Sequence, residues 1–132
     1  MNSTVFQVLV VFLVVITIPF LLGFRGKSMN VRELKDAWTP GQNGETILID
    51  VREPDEFSSG HVPGAKNIPL ETVARNLDSL KPFKTVYVIC LAGGRSAAAC
   101  QTISRHFGQD KNVINIEGGT SSWISAGYPL EK

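Results

Sequence analysis

Val86-Tyr87-Val88-Ile89-Cys90-Leu91-Ala92-Gly93-Gly94-Arg95-Ser96 holds the clearest structural signal in the chain. Its first five residues are apolar without a break, the pattern of a strand buried on both faces rather than one. Leu91-Ala-Gly-Gly then reads as a tight loop, and Arg95 to Phe107 as a helix. The same alternation extends in both directions. Asn30-x-x-Glu33 is a capping box, predicting a helix through about Trp38 with Val31, Leu34 and Trp38 on one face. Thr39-Pro-Gly and Asn43-Gly mark a loop. Ile47 to Val51 (ILIDV) reads as a second buried strand. Pro54-Asp-Glu-Phe starts a brief helix that Gly60 ends. A short strand is expected over Ala65 to Ile68, and a helix over Leu70 to Leu80 with Val73, Leu77 and Leu80 in phase. Val113 to Ile116 is a further strand, and Gly118-Gly119 leads into a last helix around Thr120 to Ala126. Apolar strands alternating with helices predict an α/β fold with a central parallel sheet flanked by helices.

The loop after the Val86 strand also points to chemistry. Open α/β sheets place their ligands at the carboxyl ends of their strands, which is where Cys90 falls. The glycines allow successive N–H groups to point inward, and the following helix adds its positive end. Those donors, with Arg95, favour thiolate over thiol. A free cysteine titrates near about 8.5, and helix N-termini with basic neighbours lower that value. The competing reading is a small buried residue that ends a strand, the usual fate of a lone cysteine. Cys100 shares a helix face with Ser96, Ile103 and Phe107 and reads as core, with a resolving or redox role as the minority alternative. His106 sits near the end of that helix, where a cation is favoured.

The chain has 132 residues and a net charge of +1, with no sustained basic run, so nothing in it calls for a nucleic-acid partner. Its two cysteines are too few for a disulfide framework and lack zinc-ligand spacing, so no metal and no cofactor is expected. No Lys, Arg, Asp or Glu precedes Arg25. Val5 to Phe24 is long enough to cross a hydrocarbon core of roughly 30 Å as a helix. A cleaved signal peptide would need a basic start and small residues at its end, whereas Phe20, Leu21, Leu22 and Phe24 are bulky. A buried core helix would need more protein around it than this chain supplies. The expected organisation is a membrane anchor with a short linker over 1–27 and one folded domain over 28–132. Arg25, Lys27 and Arg32 follow the apolar run, which places the domain in the cytoplasm and the anchor in the cell inner membrane, single-pass.

Four segments resemble the rhodanese family of sulfurtransferases. Asp50-Val-Arg-Glu-Pro-Asp-Glu-Phe57 and Gly60-His-Val-Pro-Gly-Ala-Lys-Asn-Ile-Pro-Leu70 are similar to its signature segments. Cys90-x-x-Gly-x-Arg95-Ser96 resembles its active-site loop, and Gly118-Gly-x-x-x-Trp123 its C-terminal motif. Together they span nearly all of residues 30 to 130. The resemblance implies a rhodanese-like fold and transfer of sulfane sulfur through a Cys90 persulfide. The donor would be a small anion such as thiosulfate or a persulfide. The acceptor would be cyanide, a thiol or a protein. The amides of Leu91, Ala92, Gly93, Gly94 and Arg95 would hold the anion, with Arg95 steadying loop and anion alike. Asp50, Arg52 and Ser96 would support the site, the first two as a pair. His61 is expected to stabilise its turn and Trp123 to pack the last helix. Because Leu91 and Ala92 are apolar, the loop has one cation, whereas thiosulfate-preferring members carry more positive charge there.

Two other classes compete. Cysteine-dependent phosphatases and arsenate reductases of similar fold have five residues between Cys and Arg; here there are four, and the loop has no Asp or Glu to act as an acid. A non-catalytic module tethering a partner to the membrane would share the fold. A complete loop around Cys90 is the feature that argues against it.

Overall fold

The computed structural model describes residues 26–41 and 44–132. Its centre is a five-stranded sheet in the order β1-β5-β4-β2-β3. The strands are β1 Lys27–Met29, β2 Thr46–Asp50, β3 Lys66–Asn67, β4 Thr85–Ile89 and β5 Asn112–Ile116. Every pairing is parallel. The helices are α1 Val31–Ala37, α2 Pro54–Ser59, α3 Gly94–Phe107 and α4 Gly119–Ser125.

Burial on both faces explains the unbroken apolar strands. One face carries Ile49, Val51, Val86, Val88 and Val113 beneath Ala99, Cys100 and Ile103 of α3, with Val73 and Leu80 beside them. The other carries Leu48, Tyr87, Ile89, Ile114 and Ile116 beneath Val31 and Leu34 of α1 and Trp123 of α4. Alternate residues of β4 thus serve two separate cores, as the pleat requires.

The sequence expectations hold for the sheet and the principal helices, with small shifts at the ends. The Asn30–Glu33 capping box is formed in both directions. Pro54 occupies the first turn of α2, and Gly60 ends it. Two expectations need correction. Leu70 to Leu80 is not one helix but two 3-10 turns, Leu70–Arg75 and Leu77–Leu80. Side chains capture nearby carbonyls there: Thr72 donates to Pro69 O, Asn76 to Thr72 O and Ser79 to Asn76 O. Such local bonds compete with the regular helical ladder. Val73 and Leu80 are nonetheless buried. Lys27, read as the end of the linker, forms a strand, β1, with Ser28 and Met29. No apolar pattern marks this strand; it forms along the free edge of β5, and side chains fasten it. Lys27 donates to Asn112 at 2.6 Å and Ser28 to Glu117 at 2.7 Å. Among the described residues no helix is long and apolar enough to cross a membrane; Val5 to Phe24, read as the anchor, lies outside them.

An ion pair ties down the carboxyl end of β2. Arg52 donates to the Asp50 carboxylate from Nε and from its terminal nitrogen, at 2.9–3.1 Å. Its terminal nitrogen also reaches Gly60 O at 2.8 Å, and both residues are buried. Asn67 donates to the carbonyls of Asp50 and Arg52, carrying the brace to β3. Removing one partner strands a charge in the interior. Arg52→Ala is therefore expected to destabilise the fold by about 3–5 kcal/mol, read from denaturant unfolding. A change within experimental error would show that the pair is not needed to hold the sheet end.

Candidate active site

Cys90 follows β4, the central strand, and is almost wholly buried. The chain turns immediately afterwards and starts α3 at Gly94. Gly93, the N-cap, has φ +112° and no side chain with which to cap the helix. Its N–H points back to Cys90 Sγ at 3.0 Å. Ser96, in the first turn, places its hydroxyl 3.3 Å from the same sulfur. The sulfur thus stands where a capping oxygen usually does, next to the unsatisfied amides and positive end of the helix dipole.

That geometry sets the ionisation of Cys90. Burial is the largest influence and opposes charge. The Ser96 hydroxyl and the amides of Ser96, Gly93 and Ala92 together outweigh it, so the thiol lies below its ordinary value. Cys100 has no such donors. Burial, reinforced by the charge of Cys90, pushes its thiol up to about 12. Both thiols are buried in one core, and only the one faced by donors is lowered.

The loop is locked from behind. Thr120 donates to Cys90 O from its amide at 2.9 Å and from its hydroxyl at 3.1 Å, and Ser121 N–H donates to Leu91 O at 3.0 Å. The approach is so close that a Cβ on Gly119, whose φ is +55°, would lie 2.3 Å from Cys90 O. Of the loop glycines, only Gly93 needs a left-handed conformation; a Cβ on Gly94 would meet nothing within 4 Å. The Leu91 side chain faces solvent, 42 % exposed.

Arg95 is held by a partner distant in sequence. Its guanidinium feels the charge of Cys90, but its hydrogen bonds go to Glu56 of α2, at 2.6 and 3.0 Å. It therefore staples the start of α3 to α2, and the groups that face the sulfur are amides and a hydroxyl. Asp50 and Arg52 pair as expected, near this end of the sheet, and touch each other and Gly60 rather than the sulfur. His61 stacks on Phe57 and shares a hydrogen bond with Phe57 O at 2.8 Å, a turn-stabilising arrangement. The Trp123 indole donates to Pro129 O at 2.8 Å within the core. Among the described residues no group of His, Cys, Asp or Glu could hold a metal ion.

Glu56 and Asn115 were not legible as site residues. Glu56 stands in the Asp50–Phe57 segment that resembles the rhodanese signature, but nothing local tied it to the loop. Asn115 gave a better one, a polar residue inside the apolar run Val113-Ile-Asn-Ile116.

Fold and loop together define an α/β protein with a buried thiol held in an amide-lined turn. The chain belongs to the rhodanese-like domain family, which matches residues 33–126. It is 34 % identical over 97 residues to the uncharacterized protein YqhL of Bacillus subtilis, covering 74 % of this chain and 71 % of that one. It is 28 % identical over 87 residues to a sulfurtransferase of Allochromatium vinosum, covering 65 % and 78 %. The crystal structure of a rhodanese-related protein from Thermoplasma volcanium superposes with a TM-score of 0.67 at 33 % identity, covering 80 % of this chain and 97 % of that one.

The Glu56–Arg95 staple has a pH signature. The Arg95 hydrogen bonds hold the Glu56 carboxyl down at about 2, below its ordinary 4.5. A carboxyl depressed by folding contributes stability that is complete above the unfolded value and lost as pH falls toward the folded one. Glu56→Gln should therefore lower stability at neutral pH and flatten its decline between pH 4.5 and about 2, followed by circular dichroism. An unchanged acid profile would mean that the pair contributes nothing to folding.

Proposed function

We propose that this protein is a sulfurtransferase in which Cys90 carries the transferred sulfur as a persulfide. The observation that carries this reading is the sulfur of Cys90 held at 3.0 Å from the Gly93 N–H and 3.3 Å from the Ser96 hydroxyl. The Cys90 thiolate attacks the outer sulfur of the donor. A new S–S bond forms, and the donor's own S–S bond breaks. Its electron pair leaves with sulfite when the donor is thiosulfate, or with a thiolate when it is a persulfide. A nucleophilic acceptor, cyanide or a thiol, small or on a protein, then takes the terminal sulfur and regenerates the Cys90 thiolate. The inward amides stabilise negative charge in both states, as an oxyanion hole does. Two half-reactions through a covalent intermediate predict ping-pong kinetics.

Arg95 bears on the donor. Its charge is already shared with Glu56, so a dianion gains little at this loop. The reading therefore favours persulfide or polysulfide donors over thiosulfate. Val5 to Phe24 acts as a single-pass anchor in this proposal, with Arg25, Lys27 and Arg32 keeping the domain on the cytoplasmic side of the inner membrane.

Mass spectrometry of the protein after exposure to a glutathione persulfide should find one added sulfur on Cys90. It should be absent in Cys90→Ser and kept in Cys100→Ser, with thiosulfate loading more slowly. Modification surviving in Cys90→Ser would remove the nucleophile assignment. For the anchor, carbonate-washed membranes should retain the full-length chain in the pellet; its release into the supernatant would end that part of the proposal.

A further inference from the structure

Ser96 is completely buried, and its hydroxyl has more acceptors than protons. Cys90 Sγ lies at 3.3 Å, Gly93 O at 3.1 Å and Asn115 Oδ1 at 2.5 Å. A hydroxyl carries one proton and can serve one of these fully. The residue that settles the choice comes from β5, the strand next to Cys90's own. Along β5, Val113 points to the α3 side, while Ile114 and Ile116 point to the other. Two residues beyond Val113, Asn115 falls on the α3 side by the strand's alternation. It puts a carboxamide where the pattern calls for an apolar group.

We propose that Asn115 is a positioning residue for the nucleophile: through the Ser96 hydroxyl, its carboxamide decides whether that single proton is offered to the Cys90 sulfur. This rests on the sulfurtransferase reading and extends it by one residue. In the arrangement described, Ser96 donates to Asn115 Oδ1, which suits an uncharged thiol. When the thiol is ionised, a sulfur anion is the stronger acceptor, because hydrogen bonds to charged groups are about twice as strong as neutral ones. The serine oxygen then needs a donor of its own. Turning the carboxamide end for end supplies one, since Nδ2 replaces Oδ1 beside it. The turn gives up the long Nδ2 contact with Gly93 O, 3.4 Å, and sets Oδ1 toward that carbonyl, a repulsion that the charged hydrogen bond to the sulfur has to outweigh. An amide can give and accept from one place; a carboxylate or an alkyl group cannot. The neighbouring charged and titratable groups are bonded elsewhere or inert: Arg95 with Glu56 of α2, Arg52 with Asp50 at the end of β2, and the buried Cys100 thiol of α3.

The test is the pH profile of Cys90 alkylation by iodoacetamide, followed by peptide mass spectrometry on the full chain. Asn115→Leu is expected to move the midpoint upward and slow alkylation at neutral pH by roughly 3- to 10-fold, half a unit to one unit. Asn115→Asp, similar in shape but unable to donate, should slow it at least as much. In a Ser96→Ala background Asn115→Leu should change nothing further, because the path through the hydroxyl is gone. Thermal unfolding of each variant separates these effects from misfolding. A shift equal with and without Ser96, or no shift in a folded Asn115→Asp protein, overturns the proposal. The parent protein provides the separate check: if its Cys90 already reacts like an ordinary thiol, the sulfurtransferase reading itself fails.

Discussion

A sulfur atom nearly sealed from water is faced by hydrogen-bond donors that favour its charged form, and much of the structure is arranged around that contact. Burial alone would keep Cys90 protonated, as it does Cys100 on the neighbouring helix. The difference between the two thiols is not their depth but what faces them. Cys90 ends a strand just before a helix begins, so the helix's unsatisfied amides converge on its sulfur. Cys100 lies nearly two turns into that helix, where the amides are committed to the helical ladder. Few positions separate an inert thiol from an activated one.

Holding amides at a sulfur requires holding the backbone that carries them. The parallel sheet does the first part, because β4 is flanked on both sides and buried on both faces. The second part falls to three contacts from different segments: the start of α4 against the Cys90 and Leu91 carbonyls, Glu56 of α2 against Arg95, and Asn115 of β5 against Ser96. The Asp50–Arg52 pair fixes the neighbouring end of β2 and, through Gly60, the end of α2. Each support comes from a segment distant in sequence, and all converge at one end of the sheet.

That distribution explains what could be read from the sequence. The strands of the core were legible because burial on two faces leaves an apolar run, as in Val86 to Ile89. Cys90 and its loop were legible because a cysteine, a glycine pair and an arginine stand together. Their resemblance to the rhodanese loop came on top of that local signal. The edge strand β1 was not legible, because its sequence is largely polar and its pairing belongs to β5. The 3-10 turns over Leu70–Leu80 were misread as a helix because side-chain capture of carbonyls leaves the apolar spacing unchanged. The partner of Arg95 was the larger miss. A lone cation beside a thiol reads as a ligand for an anion, and only the folded chain shows Glu56, 39 positions earlier, already bound to it.

The carbonyls of Cys90 and Leu91 are both held from behind, by the amides of Thr120 and Ser121. A peptide plane whose oxygen is clamped cannot rotate, so its nitrogen side is committed in advance to the opposite direction. The Ala92 amide, one of those that face the sulfur, lies in the plane of the clamped Leu91 carbonyl and is therefore aligned during folding. Solvent must reorient about a moving charge, at an energetic cost; a clamped loop has already met that cost. The backbone of the loop can thus be expected to keep one shape whatever charge the sulfur bears.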